Sequence, residues 1–376
     1  MKILLVGAGG FASGYIKALL GEKGRNVKFE GVVDPYIDLA KEKQAIFDAR
    51  IPVYNDMEAF YKEHSADLAI VCTPTHLHRE HSICALRHGS FVLCEKPAAP
   101  TVSETLEMID AEKIYGKWIA IGYQWSFSDA MQELKRDISM GILGKPKFLK
   151  TAISWPRDKA YYGRGTGWAG KISKDGRLVL DSIASNACAH YIHNMLFLLG
   201  KEADESAGIT SFTADCYKVN QIENFDTCSI RLITNDGVTL YFVASHATDK
   251  KRDPEFIYAF ENATVTYSQS EGPLVKATFL DGSEKIYGDP FEDYFKKLSD
   301  CISAVKDGIR PICTVKTALP HVQLIEGIYN NFEITEFSNE RKSYNEIKNA
   351  FFVEGLFEQI YKAYDSMAML CDVMTD

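Results

Sequence analysis

The sequence has few of the features that would mark it as a specialised chain. Its nine cysteines are odd in number and never form a C-x-x-C pair, so neither structural disulfides nor a zinc site is predicted. No apolar run approaches the roughly 20 residues that a transmembrane helix needs, so no membrane association is expected. The net charge of −9 disfavours nucleic acid as a partner. These absences leave an ordinary globular protein.

Length and the first residues narrow that class. A chain of 376 residues is long enough for two domains. We predict a nucleotide-binding domain over residues 1–124 and a second domain over residues 125–376, for substrate binding and oligomerisation. Residues 1–6 resemble a first strand without a basic leader or cleavage site, and scattered cysteines suit a reducing compartment. A cytoplasmic location is therefore expected.

A glycine-rich turn stands between a short apolar strand and a helix at the start of the chain. It reads Gly7-Ala8-Gly9-Gly10-Phe11-Ala12, a G-x-G-x-x-A pattern. Here Gly7 permits the tight turn, Gly9 lets the backbone approach a pyrophosphate, and Ala12 allows close packing. The next strand ends in Asp34, whose carboxylate can accept hydrogen bonds from a ribose diol and repel a 2′-phosphate. The order of these features predicts an NAD site.

The periodicity of the chain predicts an α/β fold. Strands and helices alternate through the first third, which is typical of a doubly wound (Rossmann) parallel sheet. Residues 209–287 are strand-like with hairpin turns, so the second domain is predicted to be α+β with a large open, mostly antiparallel sheet. Single helices are expected over 37–47, 185–199 and 290–305. Because a sheet needs cover on both faces, a homo-oligomer (dimer or tetramer) through the open sheet is expected.

Two motifs follow later strands of the parallel sheet, at the edge where such sheets bind ligands. One is Thr73-Pro74-Thr75 with His78, and the other is Glu95-Lys96 before a proline. We assign all of these residues to cofactor binding. The closely spaced His76, His78 and His81 suggest a metal site, but no matching pattern of carboxylates accompanies them. No metal is therefore predicted.

These motifs, together with Asn186-Ala187-Cys188-Ala189-His190, make the chain resemble the Gfo/Idh/MocA oxidoreductase family. The resemblance implies that Lys96 and His190 are catalytic and handle the substrate's proton beside the nicotinamide. One position departs from the family pattern, since the usual Asp four residues before the histidine is Asn186. Either the substrate needs no carboxylate there, as a neutral sugar would not, or Asp181 supplies one.

An aromatic, arginine-containing loop precedes this stretch. Aromatic faces pack on the C–H faces of sugars and arginines donate to hydroxyls, so the loop is interpreted as a sugar platform. The predicted substrate-binding residues are Tyr123, Trp155, Arg157, Tyr161, Tyr162, Arg164, Trp168, Asp181, Asn186, His190 and His193. The loop also resembles that of a subgroup acting on glycosides.

The leading hypothesis is an NAD-dependent enzyme that oxidises a secondary hydroxyl of a sugar or glycoside, specifically the 3-hydroxyl. An inositol or polyol dehydrogenase is an alternative within the same chemistry. A non-catalytic NAD-binding sensor or repressor is the alternative of a different class, and the presence of both Lys96 and His190 favours the enzyme.

Overall fold

The computed structural model describes residues Met1–Met374 and divides into two compact units. The first comprises Met1–Phe127 and Asp293–Val322, and the second comprises Ser128–Glu292 and the described residues from Gln323 onward. The predicted boundary at 124 lies close to the end of the first segment. The return of residues 293–322 to the first unit is not foreseen by that boundary, because it depends on contacts between segments far apart in the sequence.

The strands are β1 (Lys2–Val6), β2 (Lys28–Val33), β3 (Val53–Tyr54), β4 (Leu68–Val71), β5 (Phe91–Cys94), β6 (Ile119–Ile121), β7 (Pro146–Ser154), β8 (Ser173–Lys174), β9 (Arg177–Leu178), β10 (Ile209–Lys218), β11 (Thr227–Thr234), β12 (Thr239–Ser245), β13 (Arg252–Phe260), β14 (Ala263–Ser268), β15 (Gly272–Phe279), β16 (Glu284–Gly288), β17 (Ile334–Glu336), β18 (Lys342–Asn345) and β19 (Ala350–Val353). The helices are α1 (Ala12–Leu20), α2 (Lys43–Asp48), α3 (Met57–Glu63), α4 (His78–Arg87), α5 (Val102–Tyr115), α6 (Asp129–Ser139), α7 (Lys159–Tyr162), α8 (Ala189–Leu198), α9 (Lys296–Asp307), α10 (Val315–Asn331), α11 (Leu356–Ser366) and α12 (Leu370–Val373).

The sheet of the first unit is parallel, with strand order β3-β2-β1-β4-β5-β6. Its central strands β1 and β4 are almost wholly buried, as their continuous apolar runs predict. The order reverses between β1 and β4, which is the point where doubly wound sheets bind ligands outside the carboxyl ends of their strands. The predicted Rossmann fold is confirmed.

The second unit is built on a sheet of nine strands, in the order β16-β15-β14-β13-β7-β12-β11-β10-β17. Most neighbours pair antiparallel, and the exceptions are β7 with β12 and β10 with β17. The turn at Asn235-Asp236-Gly237 joins β11 to β12, because Gly237 supplies the positive φ (+80°) that the tight hairpin requires. The predicted α+β class of this unit is confirmed.

The chain itself covers part of the second face of this sheet. Helix α11 packs on β7 and β12, and its apolar side chains join a buried cluster with Tyr241 and Val243 of β12. Helices α6, α7, α8 and α12 and the two short hairpins β8–β9 and β18–β19 also belong to this unit. The homo-oligomer is predicted because the second face of the open sheet needs to be covered. Helix α11 already covers part of that face, and the homo-oligomer stays a prediction.

Three predicted helices differ from the structure. Residues 37–47 form a 3-10 turn (Ile37–Leu39) and then α2, because Ala40 is extended. Helix α9 begins at Lys296 rather than near 290, since Asp289 and Asp293 each accept a hydrogen bond from the N–H two residues ahead and hold turns there. The helix expected over 185–199 is divided into a π-helical turn (Ile183–Ala187) and α8.

Among residues 1–374, none of the helices combines the length and the apolar character needed to cross a membrane.

Candidate active site

The glycine turn of the first unit leaves room and hydrogen-bond donors for a phosphate. A Cβ added to Gly9 would meet nothing within 4 Å, whereas one added to Gly7, whose φ is +87°, would lie 2.9 Å from the carbonyl oxygen of Cys72. The N–H groups of Gly9, Gly10 and Phe11 donate to no group in the described chain and are exposed at the start of α1. Open backbone donors at a helix N-terminus are what a pyrophosphate requires, so these residues fit a dinucleotide.

Asp34 lies where the ribose contact was predicted, directly after β2. Its carboxylate accepts hydrogen bonds from the N–H of Ala8 and the N–H of Tyr36, both at 2.7 Å. These bonds fix the carboxylate beside the glycine turn while the side chain stays partly exposed. A fixed anion at this position is compatible with a diol and unfavourable for a second phosphate.

Glu95 is not a surface ligand but the centre of a buried charge network. It is 6% exposed, and its Oε1 accepts hydrogen bonds from the hydroxyl of Tyr15 at 2.7 Å and from Nζ of Lys297. Lys297 also donates to the carbonyl of Gly122 at 3.2 Å. Burial opposes the charged form of Glu95, but the positive charge and hydrogen bond of Lys297 outweigh it and lower the pKa of the carboxyl. Glu95 therefore contributes by holding a fixed negative charge next to Lys96 in the chain.

Lys96 follows β5 directly, at the carboxyl edge of the parallel sheet, and is half-buried. Thr73, Pro74 and Thr75 follow β4 in the same manner and are also half-buried. Adjacent parallel strands end at the same edge of a sheet, so the two motifs belong to one rim of the first unit.

His78 lies behind this rim rather than on it. It is 1% exposed, and its two ring nitrogens lie 2.8 Å from the carbonyl oxygens of Pro97 and Thr73. Burial lowers the pKa of the imidazole in spite of these two carbonyls. The ring connects the loop after β4 to the loop after β5, so its geometry favours positioning of both loops over direct contact with a cofactor.

Two predicted substrate residues are buried. Tyr123 is fully buried, and its hydroxyl is hydrogen-bonded with Nδ1 of His321 at 2.9 Å. His193 is 1% exposed with its ring stacked on Phe197. An aromatic or histidine side chain at these depths packs the interior of its unit, which favours a structural role for both.

In the second unit, Asp181 and Asn186 form one oriented pair. The carboxylate of Asp181 is 6% exposed and accepts a hydrogen bond from the backbone N–H of Gly170 at 2.6 Å. Its other oxygen accepts from Nδ2 of Asn186 at 2.7 Å. The family pattern has an aspartate four residues before the histidine. In this chain that position is Asn186, whose amide is held by the carboxylate of Asp181.

The π-helical turn determines how this pair is presented. Ser182 caps it by accepting from the N–H of Ser185, and the turn continues into α8, where His190 is the second residue and is half-buried. The single helix expected over 185–199 is therefore wrong at its start, since Asn186 belongs to the π turn and His190 to α8. Single π turns are frequent at functional sites because they redirect side chains.

The loop that precedes the pair forms a stack of arginines and aromatic rings. The guanidinium carbon of Arg157 lies 4.7 Å from the ring centroid of Tyr161, and that of Arg164 lies 3.6 Å from the same ring. The stack continues to Trp155 on one side and Trp168 on the other, at 5.4 and 4.9 Å. The loop is ordered by Asp158, whose side chain caps α7. The structure therefore groups these predicted side chains.

A small cleft adjoins this stack. It is lined by Tyr161, Tyr162, Gly170, Asp181, Ser182, Ile183, Ile222, Phe225 and His246. Burial, followed by the positive charge of Arg157, lowers the pKa of His246 to about 3, so this imidazole is neutral at physiological pH. Its Nδ1 lies 2.8 Å from the carbonyl oxygen of Trp155.

Sequence reasoning missed Lys297 as a partner of the E-K-P motif. No local signal marks it, since it lies on α9, 202 residues after Glu95. Its neighbours on that helix include Lys296, Ser299 and Asp300, so the sequence pattern carries no trace of its burial.

Comparison with known proteins assigns both units. Residues 1–123 match the Gfo/Idh/MocA "Oxidoreductase family, NAD-binding Rossmann fold", and residues 131–266 match the "GFO/IDH/MocA C-terminal domain". Among curated proteins, the chain is 34% identical over 93 residues to D-glucoside 3-dehydrogenase of Escherichia coli K12, covering 25% of this chain and 26% of that protein. It is 30% identical over 153 residues to inositol 2-dehydrogenase of Renibacterium salmoninarum, covering 40% of this chain and 45% of that protein. The chain thus matches less than half the length of either relative.

Solved structures extend the likeness to both units. The WlbA dehydrogenase of Bordetella pertussis, in complex with NADH and UDP-GlcNAcA, gives a TM-score of 0.73 at 20% identity, covering 88% of this chain and 95% of that one. At this identity the likeness concerns the fold. Both family matches and the shared architecture lead to one conclusion: the chain belongs to the Gfo/Idh/MocA oxidoreductase family.

Proposed function

We propose that this protein is an NAD-dependent oxidoreductase that converts a ring hydroxyl of a sugar or glycoside into a ketone. The observation that carries the proposal is Lys96, which directly follows β5 on the ligand-binding rim of a sheet whose glycine turn fits a dinucleotide. The Gfo/Idh/MocA membership and relatives named for sugar and inositol oxidation support the same reaction class. The cytoplasmic location stays a prediction.

NAD is the proposed cofactor rather than NADP. The carboxylate of Asp34 is held by two backbone N–H groups, so it cannot turn away from a 2′-phosphate without losing both bonds. The residues after it are Pro35 and Tyr36, which offer no positive charge to that phosphate. When bound, NAD accepts the hydride that leaves the substrate carbon.

The chain's own residues handle the proton that leaves the hydroxyl oxygen. We assign Lys96 and His190 to this role, with one of them accepting the proton and the other orienting the oxygen. Asn186, fixed by Asp181, orients the substrate through its side-chain amide. Glu95 and Lys297 keep a fixed charge pair beneath the lysine's segment.

The 3-hydroxyl is the proposed site of oxidation. Support comes from the match to a D-glucoside 3-dehydrogenase and from the arginine–aromatic stack, whose ring faces can pack on a pyranose. The test is incubation of a methyl glucoside with enzyme and NAD, followed by mass spectrometry for loss of two hydrogens and by NMR to place the ketone. A Lys96→Met variant is the control for background oxidation. A product oxidised at the anomeric carbon alone would contradict the proposal.

An inositol or polyol dehydrogenase is the second candidate. It is favoured by the match to inositol 2-dehydrogenase, which covers more of this chain than the glucoside match does. Oxidation of myo-inositol in the same assay, without oxidation of any glycoside, would select it. NAD binding without turnover of either class would indicate the sensor instead.

A further inference from the structure

The arginine–aromatic stack carries positive charge that no acidic side chain neutralises. Within residues 1–374, neither Arg157 nor Arg164 forms an ion pair with a carboxylate, whereas Arg252 and Arg310 do. The two guanidiniums share one ring, that of Tyr161, so two like charges are held close together. Like charges held together favour a counter-charge, but Asp158, the acid of this loop, caps α7 and forms no ion pair with either arginine within residues 1–374.

The surroundings of the two arginines do not remove this excess. Two buried acids, Asp181 and Asp226, act on Tyr162 of this loop, but the oxygens of both already accept hydrogen bonds from other groups. His246 is neutral, and the field of both arginines contributes to that. Within residues 1–374, neither arginine forms an ion pair with these acids, so the two guanidiniums keep their charge without a direct counter-ion.

Two buried polar atoms of the same loop also have no hydrogen-bond partner. They are Nε of Arg157 and the hydroxyl of Tyr162. A buried donor left without an acceptor is destabilising, so such atoms in a folded protein point to a group that binds there. Tyr162 lines the cleft, and Arg157 adjoins it through Tyr161.

Stacking on an aromatic ring also prepares a guanidinium for one kind of ligand. The face of the guanidinium is covered by the ring, while its N–H groups stay in the plane. Nη1 of Arg164 donates to the carbonyl oxygen of Tyr161, which leaves the other N–H groups of the two guanidiniums for a ligand. This arrangement suits the paired oxygens of a carboxylate or phosphate, which a planar fork binds through two parallel hydrogen bonds. A neutral hydroxyl would use only one donor and leave the charge unpaired.

We propose that the substrate is an anionic sugar, and that Arg157 and Arg164 bind its carboxylate or phosphate group. The proposal rests on the proposed function, because it names the class of sugar that the enzyme takes. It assigns Asn186 and His190 to the neutral hydroxyl that reacts and the arginine pair to a charged substituent elsewhere on the same molecule.

The experiment measures binding separately from turnover. Affinities of the NAD-loaded protein for methyl glucoside, methyl glucuronide and glucose 6-phosphate are determined by calorimetry at two salt concentrations. We expect at least one of the two anionic sugars to bind roughly tenfold or more tightly than the glucoside, and the difference to shrink at high salt. The uronide and phosphate arms identify which anion the site prefers. Equal affinity for all three sugars would overturn the proposal.

Variants then test the assignment to these side chains. Arg164→Gln should lower the ratio of anionic to neutral affinity by about tenfold, and Arg164→Lys should recover only part of it, since lysine lacks the planar fork. Arg25→Gln removes the same charge from an exposed arginine of the first unit and should leave the ratio unchanged. An unchanged ratio in Arg164→Gln, with NAD binding intact, would refute the assignment. Failure to oxidise any sugar, with anion binding retained, would instead contradict the proposed function.

Discussion

Replacing Asn186 by Asp should destabilise this protein in a manner that depends on pH. The side chain of Asn186 donates through Nδ2 to Oδ1 of Asp181 at 2.7 Å. An aspartate there would restore the family's residue, but it would place two carboxylates in near contact within a buried part of the second unit. The donor of the present hydrogen bond would be lost at the same time.

The magnitude follows from these two effects. Loss of a hydrogen bond to a charged group costs about 1.5–3 kcal/mol. Two unit charges that relax to a separation of ~4 Å repel by about 4 kcal/mol at an effective dielectric of ~20. That repulsion is equivalent to about three pKa units, so one of the two carboxyls binds a proton in the folded state well above the usual carboxyl range.

The direction of the pH dependence is set by this proton. In the unfolded chain both carboxyls titrate near pH ~4, whereas the folded variant keeps one proton to higher pH. Between the unfolded and the raised folded pKa, the folded state binds more protons than the unfolded one. The variant's free energy of unfolding therefore falls by about 1.4 kcal/mol for each unit by which the pH rises over that interval. Wild-type protein lacks this contribution from position 186.

Urea unfolding of Asn186→Asp and wild type at pH 5 and pH 8 measures the effect. We expect the variant's deficit to be larger at pH 8 by several kcal/mol. The matched control is the exchange Asp181→Asn with Asn186→Asp, which keeps one carboxylate and one amide and should recover much of the stability. Equal deficits at both pH values, or an exchange variant no better than the single one, would refute the proposed pairing.

Three further predictions follow from the site. Asp34→Ala should narrow the preference for NAD over NADP, as measured by fluorescence titration, and tighter NADP binding by wild type would contradict the assignment. Lys96→Met and His190→Ala should each reduce turnover at least about a hundredfold with little change in NAD affinity, and the double variant should be little worse than either. Because burial lowers the pKa of His246 to about 3, the unfolded state binds the extra proton below pH ~6.5, so stability should fall by about 1.4 kcal/mol per pH unit as acid is added. In a series of thermal unfolding measurements at decreasing pH, His246→Gln should lose less stability per pH unit than wild type. An unchanged dependence on pH would contradict the lowered pKa of His246.

Much of the first unit could be predicted because its signals are local. Short stretches of sequence predict the strand β1, the turn at Gly7 and the acid Asp34 after β2. The structure has β1 and β2 at these positions and a positive φ at Gly7. The helix Val102–Tyr115 also begins at a local signal, since the side chain of Thr101 accepts from the N–H of Glu104. In the second unit, Asn235-Asp236-Gly237 predicts the hairpin between β11 and β12 from adjacent residues in the same way.

Tertiary contacts decided what periodicity could not. A run with helical composition over 185–199 contains a π turn because Ser182, Ser185 and the Asp181–Asn186 bond hold the backbone in a wider coil. That bond could be suspected from the departure at Asn186, but its geometry required the folded loop that brings Gly170 to the same carboxylate.

The sequence by itself determined the nucleotide-binding fold, the order of its motifs and the family, because each depends on residues close together in the chain. Only the tertiary structure decided that Glu95 is buried and paired with Lys297, which comes from a helix that returns 202 residues later. It likewise decided that two arginines share the ring of Tyr161 without an acidic partner among the described residues. Charge pairing is a property of distance in space, and a linear pattern does not contain that distance.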